Sequence, residues 1–212
     1  MDFGRALSFP FDDEEWPVKV ILGTLLSLVP FFAQGYQVRV ARNVVRGEKR
    51  PLPASQRLGE VFVDGVVLAA ATFIYFLPLV LIGCLIALPA LLTDGSALSG
   101  LMVLCASCGV VLAALLYAIP ALMLTYMGMI RYAETGDFSE YFRIGALIRD
   151  TRQNASLLVV LVMYVFLFGL LAALVAPFVA VLIVGVPLVN FYFQVASGHL
   201  IGQAGRMILL EH

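Results

Sequence analysis

Two apolar runs, Val61 to Leu92 and Leu98 to Ile130, are separated by a short segment that begins Thr93-Asp94-Gly95-Ser96. At about 1.5 Å rise per residue, each run reaches across a hydrocarbon layer roughly 30 Å thick. The residues between them have turn chemistry, so the two runs form a helical hairpin with no domain inserted at its tip. Pro78, Pro89 and Pro120 predict kinks or tilt within these helices.

The rest of the chain obeys the same constraint. Val18 to Val40 is a third apolar block, interrupted by Pro30, Gln34 and Gln37. A full crossing is the preferred reading. The alternative is a re-entrant segment that turns near Pro30 and leaves on the side it entered, which requires cover by other protein. Leu157 to about Gln203 is too long for one crossing and predicts two, with the turn between Ala176-Pro177 and Gly185-Val186-Pro187. With 62% hydrophobic and 13% charged residues, the chain has more apolar surface than one soluble core of this size hides.

The expected architecture is an all-α integral membrane bundle, a single domain over residues 1–212. About five membrane segments are expected, at 18–40, 61–92, 98–130 and two within 156–206, with short interfacial amphipathic helices. Charged connectors occupy 41–60 and 131–155.

The charges are segregated. Residues 41–60 carry Arg42, Arg46, Lys49, Arg50 and Arg57 against Glu48 and Glu60, a net of +3. Residues 131–155 carry Arg131, Arg143, Arg149 and Arg152, balanced by Glu134, Asp137, Glu140 and Asp150. The positive-inside rule counts Lys and Arg, so both connectors and the C-terminus behind Arg206 are expected in the cytoplasm, in a cell (inner or plasma) membrane. Five crossings place the acidic N-terminus outside; a re-entrant first block places it inside.

Smaller elements follow from local chemistry. Phe3, Ala6 and Leu7 predict a short amphipathic surface helix over residues 2–9, ending at Pro10. Pro17 predicts the start of the next helix. Leu58, Val61, Phe62 and Val66 predict an amphipathic lead-in helix, and Phe138, Tyr141, Phe142, Gly145 and Ile148 trace another interfacial stripe. Asn154 or Asp150 is expected to cap the following helix.

A weak repeat links Arg42 to Glu48, RNVVRGE, with Arg131 to Asp137, RYAETGD, at an offset of 89 residues. A partial echo joins Phe3-Gly4-Arg5-Ala6-Leu7 to Phe142-Arg143-Ile144-Gly145-Ala146-Leu147.

Candidate functional residues fall in two sets. Arg42, Arg46, Lys49 and Arg50 form a basic group suited to anionic lipid or a partner, although topology determination alone accounts for it. Asn190 and Gln194, and again His199 and Gln203, stand four residues apart on the last apolar block. They line a polar path or hydrogen-bond neighbouring helices, the second being preferred. Gly198 and Gly202 permit close helix contact. Asp64 is the nearest approach to a buried reactive group.

Cys84, Cys105 and Cys108 lie in apolar blocks and read as small hydrophobes. The chain shows no zinc-protease, nucleophile-elbow or phosphate-loop pattern and no nucleic-acid signature. No catalytic residues, cofactor or metal are therefore expected, and the partners expected are membrane lipids and other integral membrane proteins, without nucleic acid.

FPFDDEEW, RVARNVVRGEKRPLP and LGEVFVDG, in that order, resemble motifs of an uncharacterised family of small polytopic bacterial and archaeal membrane proteins, domain-of-unknown-function family 4013. The resemblance spans nearly the whole chain. It implies a multi-pass helical membrane domain and carries no active residues to transfer. The expected function is that of a non-catalytic scaffold or accessory subunit of a larger membrane complex; the alternative is a small transporter or lipid-handling permease.

Overall fold

The computed structural model describes residues 1–53, 58–91, 97–182 and 184–210, and these residues form helices without strands. In order they are α1 (Phe3–Ser8), a 3₁₀ turn (Phe9–Asp12), α2 (Trp16–Leu26) and α3 (Phe32–Val45). Next come α4 (Leu58–Leu91), α5 (Ala97–Thr135), a second 3₁₀ turn (Phe138–Phe142), α6 (Ile144–Gln153), α7 (Ala155–Val179) and α8 (Gly185–Leu210).

Local chemistry sets many of the ends. The Asp2 carboxylate accepts the Arg5 N–H at 2.8 Å and caps α1. Pro17 sits in the first turn of α2, where its missing N–H costs nothing. Beyond the C-terminal ends of α3 and α5, Gly47 and Gly136 take left-handed φ values of 74° and 76°, a conformation that suits a residue without Cβ. These glycines stand at equivalent places in the 89-residue repeat, so the repeated sequence corresponds to a repeated helix ending.

The preferred reading of Val18 to Val40 as one crossing helix is corrected by the fold. The chain leaves helix after Leu26 and resumes at Phe32, and Phe31 adopts φ 70° between them. The 11 residues of α2 and the 14 of α3 reach only roughly 16 and 21 Å. They form a hairpin that returns to its starting end. Glu14, before α2, pairs with Arg50, beyond α3, at 2.7 Å, while Gly23 and Tyr36 both meet Phe191 further along.

Glycine contacts lock this hairpin in place. A Cβ at Gly65 would lie 1.9 Å from the Phe31 carbonyl oxygen, and one at Gly35 would lie 1.8 Å from that of Val61. The backbones of α3 and α4 therefore touch as antiparallel helices. Along α8, Cβ atoms at Gly198 and Gly202 would meet the Gln37 and Ala41 carbonyls at 2.5 and 2.8 Å, which sets α3 and α8 parallel and close. Close contact is the role expected of that glycine pair.

Three helical stretches are long and apolar enough to cross a membrane: Leu58–Cys84, Ser107–Thr135 and Ala155–Val179. They stand where about five segments were expected. The turn expected between 176 and 187 falls between Val179 and Gly185, giving two helices as anticipated. However, α8 is long without being among the apolar three. It packs against α1, α2, α3, α5 and α7 and is buried from Val195 to Gly202. Protein covers that stretch, so its polar side chains find protein partners or internal space, whereas Asn190 nearer the start of α8 is exposed.

Other expectations are refined. α1 packs on α7 and α8, with Phe3 against Tyr164 and Phe168 and with Ala6 buried. The lead-in helix at Leu58 is continuous with α4. The stripe at 138–148 is divided between the second 3₁₀ turn and α6, with Tyr141 buried and Phe138, Phe142 and Ile148 exposed. The tip of the α4–α5 hairpin at Thr93 to Ser96 lies outside the described residues. Cys84, Cys105 and Cys108 are free and exposed on outer helix faces rather than in the core.

Candidate functional site

Polar side chains collect at one end of the bundle and again roughly halfway along it. At the charged end, the Asp64 carboxylate on α4 is the centre of the first group. It accepts from Arg39 Nε, from the Tyr132 hydroxyl at 2.5 Å and from Arg42 Nη1 at 3.4 Å. Arg39 also reaches Glu60 at 2.8 Å, and the Arg42 guanidinium lies 5.1 Å from the centroid of the Tyr132 ring. This group fastens α3, α4 and α5 together.

It also corrects the basic set. Arg46, Lys49 and Arg50 are exposed, whereas Arg42 is buried and committed to Asp64. Arg42 is therefore no part of a surface for lipid or partner.

The second connector repeats the device. Arg131 Nη1 pairs with Glu140 at 2.9 Å and Nη2 with Asp150 at 2.7 Å, while Arg143 pairs with the other Glu140 oxygen at 2.8 Å. These contacts hold the 3₁₀ turn and α6 against α5, around an open cleft of about 450 Å³. Burial pushes the Tyr141 phenol well above its ordinary pKa. Asp150 serves this network, and no side-chain cap is formed by Asn154 at the start of α7.

The four residues expected to share a polar face divide into two places. Gln203 hydrogen-bonds the His199 ring at 3.0 Å and exchanges bonds with the Asp2 backbone at 2.6 and 3.1 Å. His199 stacks on Phe9 with ring centroids 4.2 Å apart. That pair ties the N-terminal segment to α8, and Met1 beside Met207 puts the start of the chain and the end of α8 at the charged end.

Gln194 points elsewhere. It lines a cavity of about 420 Å³ where α3, α4, α5, α7 and α8 meet, together with Gln34, Gln37, Thr72, Thr125 and Tyr126. A smaller cavity of about 220 Å³ between α7 and α8 also reaches Gln194, with Asn190 and Ser197 on its wall.

The hydrogen-bonding state of this cavity is specific. Thr72 and Thr125 each donate to the carbonyl one turn earlier at 2.8 Å, which leaves their oxygen lone pairs. The side-chain amides of Gln34, Gln37 and Gln194 have no hydrogen-bond partner among the described residues. Gln37 is only 7% exposed. Gln34 and Gln194 are half-buried, and the three amides leave hydrogen-bonding capacity around one space that is open to water or to a ligand. The lining residues offer neutral donors and acceptors rather than charge. Among the described residues, no three His, Cys, Asp or Glu side chains converge as a metal site would require.

Across residues 22–186 the chain matches the family described as Protein of unknown function (DUF4013). The chain belongs to that family. No curated protein and no solved structure matches it.

Within this DUF4013 member the matched region contains the end of α2, the break at Phe31 and all of α3, both charged networks and most of the cavity wall, while Asn190 and Gln194 lie just beyond it. Sequence reasoning singled out Gln194 and Asn190 but did not group Gln34, Gln37, Thr72 and Thr125 with them. The available signal was the presence of two glutamines in an apolar block, which read only as blemishes in a span. Arg39 and Tyr132 as partners of Asp64 carried no comparable signal.

Proposed function

We propose that this chain is a non-catalytic integral membrane protein that handles a membrane-derived ligand, as a small transporter or lipid-handling permease. The carrying observation is the half-open, amide-lined cavity around Gln194, because a scaffold has no need of unpaired amides clustered between its helices.

In this reading α4, α5, α7 and α8 cross the bilayer, and α2–α3 re-enters it from the side of the charged connectors. Leu116, Phe166, Phe178 and Val181 are between 73% and 90% exposed, as suits faces meeting acyl chains. Four crossings put both termini with the Arg- and Lys-bearing connectors, hence in the cytoplasm of a cell (plasma or inner) membrane. Helix rise supports the depth of the cavity: Gln37, Thr125 and Gln194 lie 10, 11 and 12 residues from Gly47, Gly136 and Arg206. These spacings correspond to roughly 15–18 Å, close to the middle of a hydrocarbon layer of roughly 30 Å. Broken helices around a midplane site are a recurring transporter arrangement.

The test is a proteoliposome assay of fluorescent-lipid movement between leaflets. The reading expects movement faster than in protein-free vesicles and slowed by Gln194→Leu. Equal rates in both vesicle types would refute it.

The accessory-subunit reading is kept for one observation. Cys105, Gly109 and Ala113 present an exposed small-residue row at four-residue spacing on α5, a surface suited to a partner helix. Purification in mild detergent followed by mass spectrometry tests it, and the absence of any stoichiometric membrane partner would remove it.

A further inference from the structure

We infer that the cavity at Gln37 and Gln194 is a binding site for the headgroup of a neutral glycerolipid of the diacylglycerol class. The inference rests on the lipid-handling reading and deepens it by naming the ligand chemistry.

Charge is the first discriminator. The lining residues are neutral, and the ionic group one turn along α4 from the lining residue Leu68, Asp64 with Arg39 and Arg42, is internally paired. A phosphate or carboxylate placed here would be a desolvated charge without a counter-ion, which a low-dielectric interior strongly disfavours. A plain hydrocarbon fails for the opposite reason, because Gln37 is more than nine-tenths buried and would stay unsatisfied against it.

The pattern of donors and acceptors is the second. Each glutamine amide presents an NH₂ donor and a carbonyl acceptor, and the two threonine oxygens add acceptors. Gln34 lies in the first turn of α3, where helix ends favour acceptor groups. A diacylglycerol headgroup answers both needs. Its hydroxyl donates to a glutamine carbonyl, and its two ester carbonyls accept from amide N–H groups.

Route and size are the third. Phe73 belongs to the cavity lining and is 60% exposed, so the half-open cavity reaches the outer face of α4 and an occupant can arrive from the acyl-chain layer. A volume of about 420 Å³ lies within the usual range of small-molecule sites and leaves the acyl chains outside, against the exposed helix faces.

The test is photo-crosslinking of the full chain in nanodiscs. A photoreactive diacylglycerol is compared with photoreactive phosphatidylglycerol and a photoreactive fatty acid, and adducts are mapped by mass spectrometry. Diacylglycerol adducts are expected on the peptides bearing Gln37, Thr72 and Gln194. Yield should fall about tenfold in Gln37→Leu, the factor for one lost neutral hydrogen bond. The wild-type map remains decisive even where that variant does not fold. Equal or greater adduct yield from either charged lipid on those peptides would overturn the neutral-lipid assignment while leaving lipid handling intact. Absence of adducts from all three lipids at those peptides would overturn both.

Discussion

Replacing Asp64 by Asn tests whether the buried ionic group, rather than apolar packing alone, holds α3 to α4 and α5. The substitution keeps the side-chain shape and removes one negative charge from a carboxylate that is 4% exposed. Arg39 retains Glu60, although that partner is 53% exposed. Arg42 is 8% exposed, has an Nε without a partner among the described residues and keeps Tyr132 and a neutral amide oxygen but no counter-ion. The variant therefore strands a buried cation, a situation that costs about 3 kcal/mol or more, against about 0–1 kcal/mol for a solvated pair. That corresponds to roughly a hundredfold shift in the folding equilibrium. Reversible unfolding of the detergent-solubilised protein by a denaturing detergent measures it. Adding Arg42→Met should return part of the loss, and a double-mutant cycle gives the coupling directly. A loss below about 1 kcal/mol for Asp64→Asn, with no rescue by Arg42→Met, would refute the reasoning.

The remaining predictions concern backbone contact, helix endings, pH and topology. Gly65→Ala drives a Cβ to 1.9 Å from the Phe31 carbonyl oxygen and should destabilise by about 1–3 kcal/mol or more, whereas Gly59→Ala, with open space around it, should lack that steric penalty; thermal unfolding of the two variants compares them. Gly47→Ala and Gly136→Ala each force a side chain into left-handed backbone and should cost similar amounts, about 1 kcal/mol by the same unfolding assay. Burial of Asp13 favours its protonated form, but Lys19 at 2.7 Å and the Glu15 N–H at 3.0 Å outweigh it and hold the carboxyl below the ordinary aspartate value. That stabilisation is present above the unfolded aspartate pKa and is lost as pH falls through the lowered folded value, so the stability gap between wild type and Asp13→Asn should close below about pH 4. Neutral replacement of exposed Arg46, Lys49 and Arg50 should disturb membrane topology in a reporter assay; unchanged topology with lost binding to anionic vesicles would assign them to lipid contact instead.

Much of the scaffold was legible because it depends on neighbours in sequence. Pro17 starts a helix, and the apolar run from Val61 needs only its own length to predict α4. The charged connectors and their repeat were legible for the same reason. The candidate site was only half legible. Gln194 stood out as a polar residue in an apolar block, but its companions come from α3, α4 and α5, whose residues are separated in sequence by up to about 160 positions.

The chain's order of residues by itself determined an all-helical protein, the long apolar helices and the two charged connectors, since helix periodicity, turn chemistry and apolar length act within a few residues of one another. Tertiary structure decided the rest. Pro30 made a break in the α2–α3 block one of two readings, and the choice between them rests on the packing of the Phe31 carbonyl against Gly65 of another helix, a contact to which hydropathy has no access. The polar side chains of α8 from Gln194 to Gln203 are tolerated because neighbouring helices pack around that stretch, and the same polarity along an outward face would carry a different cost. Arg42 turns from a surface charge into a structural one only when Asp64 and Tyr132 arrive beside it. The amides of Gln34, Gln37 and Gln194 become a site only when five helices leave space between them, because a cavity belongs to the packing of the bundle and to no segment of the chain.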